Sequence, residues 1–363
     1  MNQLRIAMIG GANDSLIGPT HVASSQWFDK AKLVAGFFSR DPAKSLKSGE
    51  AYGVDPTRCY STLESFFRKE SPKTLDAVII ATPNSTHIPY ATEMVQHGLH
   101  VMYEKPLGNE LEGAYKLADL IEQKNVVFGL AHHNTGYAAI RAMRNMIQSE
   151  ELGRLRLMRS TYIQGWLSAS QESANTPQAA WRLDPMLSGP SCCLADIGSH
   201  VLNLMGFVSD LGIESYDSIL QNFVADRQVD DFCNLFLHYE QDVIGTLTAS
   251  QISTGYKNEI ELHCDCEEGS LSWYRARPQE LVVRSKTETQ TKTFDLTKPN
   301  RHQQQLMRLS PKLDELPNVI AFANLYDSFF EKISGKENTE VITIDSGIET
   351  LNVILDSAAS FRA

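Results

Sequence analysis

The stretch from Asp76 to Gly108 limits the fold of this chain more than any other. Residues 77–81 read Ala-Val-Ile-Ile-Ala and are closed by Thr82-Pro83-Asn84. A short apolar run rich in β-branched residues, with no polar alternation, is how a strand buried on both faces of a parallel sheet reads, so it is expected to be a central strand. Ile88, Ala91, Met94 and Val95 then recur at helical spacing, and Gly98 stands where a helix would stop. A second strand, His100–Tyr103, ends in Glu104-Lys105-Pro106. Strand, helix and strand in succession put a lysine at the carboxyl end of a sheet strand, the edge where open α/β folds bind ligands. Taken alone, Lys105 would be a solvated strand-end lysine and Pro106 a helix-starting proline.

The N-terminus supplies the other half of a nucleotide domain. Leu4–Ile9 reads as a buried strand that runs into Gly10-Gly11-Ala-Asn-Asp-Ser-Leu16-Ile17-Gly18-Pro19, and a helix is expected through Phe28. Glycine lets the backbone approach a pyrophosphate, and the helix N-terminus offers N–H groups and a positive dipole end, the opening of a Rossmann domain. The interval from Gly11 to Gly18 is longer than Gly-x-Gly-x-x-Gly permits. The second strand, Lys32–Phe38, leads into Ser39-Arg40-Asp41-Pro42. An acidic residue at that strand end would bind the ribose of NAD, whereas Ser39 followed by Arg40 leaves room and charge for the 2'-phosphate of NADP, which is therefore favoured over NAD. Asp41 is assigned instead to capping a helix over 42–52. Alternation continues with a strand at Thr57–Tyr60, a helix at 61–69, a helix at 110–124 and a strand at 126–130. The first domain is expected to span residues 1–130.

Thr82-Pro83-Asn84-x-x-His87, a helix, and then Glu104-Lys105-Pro106 resembles the signature of the glucose-fructose oxidoreductase and inositol dehydrogenase family, often written Gfo/Idh/MocA. The long first turn is similar to a form of that family ending Ile17-Gly18-x-x-His21. The resemblance implies a bound nicotinamide dinucleotide, with Gly10, Gly11, Leu16, Ile17 and Gly18 at the first turn and Ala81, Thr82, Pro83, Asn84, His87, Glu104 and Lys105 at the two strand ends. It further implies that a residue after the last strand lies near the nicotinamide, so His132 or His133 is expected to face it, with His133 the candidate. Two adjacent histidines without a carboxylate at ligand spacing are not read as a metal site.

Beyond residue 148 the pattern changes to strands joined by short polar turns: 155–164, 218–225, 231–239, 243–252, 260–265, 269–274, 280–285 and 291–296. A second domain over 131–363, with a large, mainly antiparallel open sheet, is the expectation, and helices at 316–333 and 346–361 are expected to pack back on the body. The resemblance implies that the open face of such a sheet serves subunit contact, so a homo-oligomer, dimer or tetramer, is expected. Ahead of that sheet lie Trp181-Arg182 and then Asp196-Ile-Gly198-Ser-His200 in a stretch of helical periodicity. That spacing predicts both side chains on one helix face, roughly 6 Å apart. It matches the Asp-x-Gly-x-His segment of the resembled family. Oxidising a sugar carbon requires a base for the departing hydroxyl proton and a cation for the developing alkoxide. His200 suits the first task, Lys105 the second and Asp196 the orientation of histidine and substrate hydroxyls, with Arg182, Trp181 and Tyr162 lining the site between the domains.

A chain of 363 residues with 42% hydrophobic content accommodates two cores, and a net charge of -11 without a basic stripe argues against nucleic acid as the main partner. The opening residues lack the apolar run of a signal peptide, and no segment reaches the twenty or so apolar residues of a membrane span, so a cytoplasmic protein with no membrane partner is expected. Six cysteines without Cys-x-x-Cys spacing are expected to be free thiols. The leading reading is an NAD(P)-dependent dehydrogenase or reductase acting on a sugar, inositol or related polyol. The alternatives are a glycosidase that uses transient oxidation by a bound nicotinamide and a non-catalytic dinucleotide sensor.

Overall fold

Five of the expected strands pair in one parallel sheet in the computed structural model, which describes residues 3–169, 182–309 and 316–362. They are β1 (Leu4–Gly10), β2 (Ala31–Phe37), β3 (Ala77–Ala81), β4 (His100–Tyr103) and β5 (Phe128–Leu130), in the order β2-β1-β3-β4-β5. The apolar run at 77–81 is central, with β1 on one side and β4 on the other. The connecting helices are α1 (Gly18–Ser25), α2 (Pro42–Tyr52), α3 (Leu63–Phe67), α4 (His87–Gln96) and α5 (Leu111–Lys124). Helix α2 begins where Asp41 accepts the N–H groups of Ala43 and Lys44, and ends at a left-handed Gly53.

The strand expected at Thr57–Tyr60 does not form. Pro56–Arg58 is a 3-10 turn in which Asp55 accepts the Thr57 N–H at 2.8 Å, and only Cys59 makes a bridge, to Gly36. Proline contributes no N–H to a ladder and the aspartate fixes the turn, so local turn chemistry prevails over β propensity. Helix α1 likewise stops at Ser25 rather than Phe28.

The chain divides into two compact units, and the boundary is not the one expected. The first comprises Met1–Gly108, Glu112–Gly136 and Leu296–Asp345, so the chain returns to it after the second unit is built. The expected partition 1–130 and 131–363 therefore assigns the helix Leu316–Ile333 to the wrong unit. Residues Phe322, Tyr326, Phe329 and Phe330 of that helix share one core with Ile6, Met8, Ile79 and Met102 of the parallel sheet.

The second unit comprises Asn109–Leu111, Tyr137–Asp295 and Ser346–Ala363. Its eight strands are β6 (Leu155–Ile163), β7 (Ile213–Gln221), β8 (Phe232–Tyr239), β9 (Val243–Ser250), β10 (Glu259–Cys266), β11 (Gly269–Tyr274), β12 (Glu280–Ser285) and β13 (Thr289–Thr293). They run in the order β13-β12-β11-β10-β6-β9-β8-β7, antiparallel throughout except for the parallel pair β6 and β9. The strand expected at 218–225 is shifted back, because Asp231 accepts the N–H groups of Phe223 and Val224 and takes them out of any ladder. Helices α6 (Ala138–Gln148) and α7 (Ser199–Ser209) pack against one sheet face, whose Leu235, Leu247, Leu262, Leu271, Trp273 and Leu281 are buried. Ile219 and Phe236 are exposed on β7 and β8. No helix among the described residues is long and apolar enough to cross a membrane.

Candidate active site

The turn after β1 needs glycine at each of its three positions for a steric reason. Gly10 and Gly11 have φ of 79° and 63°. A Cβ on Gly10 would lie 2.4 Å from the Ala81 carbonyl oxygen, and one on Gly18 would lie 2.2 Å from that of Gly11. Gly18 is thus pressed onto Gly11 in spite of the longer interval between them. The start of α1 has no side-chain cap at Ile17, and Ser15 Oγ accepts the Gly18 N–H at 3.0 Å. Leu16 is half exposed. Ser39 Oγ accepts the Asp41 N–H at 3.2 Å and Arg40 stands exposed. At the neighbouring end of β3, Thr82 Oγ1 is buried without a hydrogen-bond partner among the described residues. A tight glycine cradle, a helix start facing it and an orphaned hydroxyl at the adjacent strand end fit a dinucleotide, whose phosphates take backbone N–H groups and whose polar rim pairs side chains.

Lys105 follows β4, and its peptide bond to Pro106 is cis. Glu104 is buried. Its Oε1 lies 3.0 Å from His21 Nε2, and the Tyr326 hydroxyl lies 2.6 Å from His21 Nδ1. Burial raises the affinity of the Glu104 carboxyl for its proton, but the hydrogen bond from His21 and the nearby charges, Lys105 among them, outweigh it and hold the group below the usual carboxylate range. His21 thus stands between Glu104 and Tyr326, within hydrogen-bond distance of both. It ties the first turn of α1 to the residue before Lys105.

His87 is also internal. Its Nε2 is 2.6 Å from the Thr82 carbonyl oxygen and its Nδ1 3.1 Å from that of Pro106, so it bridges the ends of β3 and β4. Burial, opposed by those carbonyls and by Glu104, lowers its pKa. His132 is buried, and desolvation followed by the Lys105 charge pushes its pKa down to about 3, which leaves it neutral. His133 is half-buried and stacks on Phe322, centroids 4.7 Å apart. Asn134, 1% exposed, has no hydrogen-bond partner for either polar atom of its amide among the described residues, and nothing in its sequence context marked it.

In the second unit a π-helical turn, Leu194–Gly198, leads directly into α7. The continuous α-helical spacing expected for Asp196 and His200 is therefore corrected: Asp196 sits in the wider turn and His200 in the first turn of α7. Such bulges recur at functional sites because they re-aim a side chain. The turn is held from behind by Asp230, fully buried, which accepts the N–H groups of Cys192 at 2.7 Å and Leu194 at 2.8 Å. Asp196 Oδ2 accepts from Arg182 Nε and from Gln251 Nε2, both at 3.1 Å. Arg182, expected from the sequence, is thus joined to Asp196, whereas Gln251 carried no sequence signal. His200 is 7% exposed, with its ring centroid 5.9 Å from that of Tyr162. Burial pushes the Tyr162 pKa up, so its hydroxyl keeps its proton and donates to Asn258 Oδ1 at 2.6 Å. Trp181 lies outside the described residues. No group of His, Cys, Asp and Glu side chains among the described residues is arranged to hold a metal ion.

A parallel sheet with a glycine cradle and a strand-end lysine, carried with a second unit that presents a paired carboxylate and an imidazole, defines a nicotinamide-dependent oxidoreductase. Residues 4–132 match the oxidoreductase family with an NAD-binding Rossmann fold and residues 140–272 match the GFO/IDH/MocA C-terminal domain, and the chain belongs to the Gfo/Idh/MocA family. It is 28% identical to an uncharacterized oxidoreductase, YfiI, of Bacillus subtilis over 97% of this chain and 93% of that one. It is 25% identical to a levoglucosan dehydrogenase of Pseudarthrobacter phenanthrenivorans over 58% of each chain. Among solved structures it resembles an inositol dehydrogenase homolog from Azotobacter vinelandii complexed with NAD+, with a TM-score of 0.86, 28% identity and coverage of 99% of this chain and 96% of that one.

Proposed function

We propose that the protein transfers a hydride between a nicotinamide and a hydroxyl or carbonyl carbon of a sugar, inositol or related polyol. The observation that carries this reading is Lys105 at the end of β4 beside the glycine cradle, together with Asp196 and His200 on the π turn and the helix that follows it. The names of the relatives, a levoglucosan dehydrogenase and an inositol dehydrogenase homolog, support the substrate class. When bound, the nicotinamide supplies the redox step. His200 takes the hydroxyl proton, Lys105 stabilises the oxyanion and Asp196, oriented by Arg182 and Gln251, holds substrate hydroxyls. Following absorbance of the reduced nicotinamide against a panel of sugars and cyclitols tests it, and no turnover on any member counts against it.

NADP is favoured over NAD. Asp41 is engaged as the cap of α2, so no acidic side chain at the end of β2 is left for a ribose, and Ser39-Arg40 suits a phosphate. A homo-oligomer is proposed from the exposed Ile219 and Phe236 on the sheet. A cytoplasmic setting accords with six unpaired cysteines.

A further inference from the structure

Around Asp196 the second unit carries a chain of side-chain contacts that the proposed chemistry does not use. Trp166 is 37% exposed and is held in one orientation, because its Nε1 donates to Gln164 Oε1 at 3.0 Å. Gln164 Nε2 donates in turn to Asn258 Oδ1 at 2.9 Å, the same oxygen that accepts from Tyr162. On its other side the indole lies under Arg182, whose Cζ is 5.9 Å from the ring centroid and whose Nε binds Asp196. A continuous path of contacts therefore leads from Asp196 through Trp166 to Tyr162, whose ring neighbours His200.

The backbone beneath the indole is fixed as well. Gln164 N–H donates to the Ser250 carbonyl at 2.7 Å and Leu167 N–H to that of Gln251 at 3.0 Å. A Cβ on Gly165 would lie 2.3 Å from the Ser253 carbonyl oxygen, so the two loops touch backbone to backbone. Leu167 is fully buried, and its carbonyl accepts from the buried Arg227 at 3.0 Å. A large exposed aromatic on so rigid a loop, rimmed by amide and carboxylate groups, has the composition of a ligand platform rather than of a solvated surface.

We infer that Trp166 is the platform for a cyclic, uncharged polyol, whose C–H face lies on the indole while Gln164 and Asn258 read hydroxyls at the ring edge. This deepens and rests on the proposed oxidoreductase function. A flat indole selects a ring with one apolar face over an open chain, which has no such face. Charge selects against a phosphate ester: Arg182 is already paired with Asp196, and that carboxylate repels an anion. Arg275 is close enough to Tyr162 to act on its titration, so a sugar phosphate is the competing occupant.

The test uses the intact chain loaded with reduced cofactor, titrated with myo-inositol, glucose, glucitol and glucose 6-phosphate and read by calorimetry and tryptophan emission, alongside steady-state kinetics in the productive direction. Trp166→Ala is expected to weaken binding and raise KM for the two ring compounds about tenfold, with a smaller change in kcat, while cofactor affinity stays the same. Trp166→Phe is expected to recover most of the loss. The inference is overturned if Trp166→Ala leaves ring binding unchanged, if glucitol loses as much as the rings do, if glucose 6-phosphate binds best, or if no ring compound binds at millimolar concentration. Ring binding without any redox turnover would instead refute the proposed reaction and leave the platform standing.

Discussion

Replacing His21 by alanine should damage both stability and cofactor binding, and the size of the effect follows from its contacts. The side chain is fully buried, between Glu104 at 3.0 Å and the Tyr326 hydroxyl at 2.6 Å. A hydrogen bond to an ionised carboxylate contributes about 1.5–3 kcal/mol, and a buried hydroxyl left without a partner costs about 1–3 kcal/mol. His21→Ala is thus expected to cost about 2.5–6 kcal/mol in urea denaturation followed by tryptophan emission, with the buried Trp27 reporting on this unit. Glu104→Gln with His21→Ala in a double-mutant cycle should give a coupling of about 1.5–3 kcal/mol.

The pH dependence has a definite sign. The folded-state pKa of Glu104 is depressed below its ordinary 4.5, so its contribution is fully present above that value and is lost as pH falls through the folded value. The gap between wild type and His21→Ala should accordingly narrow in acid and be constant from neutral pH upward. Because His21 joins α1 to the residue before Lys105, the variant should also bind cofactor more weakly. Additivity of the two substitutions within about 0.5 kcal/mol, or a gap that widens in acid, would refute this reasoning.

Arg40→Ala should lower the ratio of NADPH to NADH affinity by about 1.5–3 kcal/mol, the value of a charge-assisted phosphate contact, and an unchanged ratio would remove Arg40 from cofactor selection. Lys105→Ala and His200→Ala should each bind cofactor almost normally while turnover falls on the order of a hundredfold or more, and His200→Ala should lose the limb of the pH–rate profile that depends on a histidine base. Either variant retaining wild-type turnover would exclude that residue from the chemistry. Light scattering at micromolar concentration should show a homo-oligomer that Ile219→Asp with Phe236→Asp weakens, and a wild-type monomer would contradict the proposed role of the open sheet face.

Much of the first unit was legible because its signals are local. A short unbroken apolar run rich in β-branched residues reads as a strand buried on both faces, and Asp41-Pro42 with Gly53 marks both ends of a helix within a few bonds. The Glu104-Lys105-Pro106 segment could be placed at a strand end for the same reason. What spacing could not reveal was the direction in which a side chain turns. Glu104 and His87 stand in the motif beside Lys105, yet both face inward, because partners far along the chain, Tyr326 with His21 for the one and Pro106 for the other, claim their polar atoms.

The helix at Leu316–Ile333 was evident in its periodicity, but its place was not. An apolar stripe says that a helix is covered and not by what, and here the parallel sheet left Met8 and Ile79 to be covered by Phe322 and Phe329. The spacing of Asp196 and His200 likewise implied one regular helix, whereas the carboxylate of Asp230 draws in the N–H groups of Cys192 and Leu194 just ahead of a π turn. Sequence alone determined strand, turn and helix wherever neighbours in the chain supply the hydrogen bonds. The orientation of Asp196 by Arg182 and Gln251, and of Glu104 by His21, was decided only by tertiary structure, because a buried polar atom must be satisfied by whichever group the fold brings within about 3 Å.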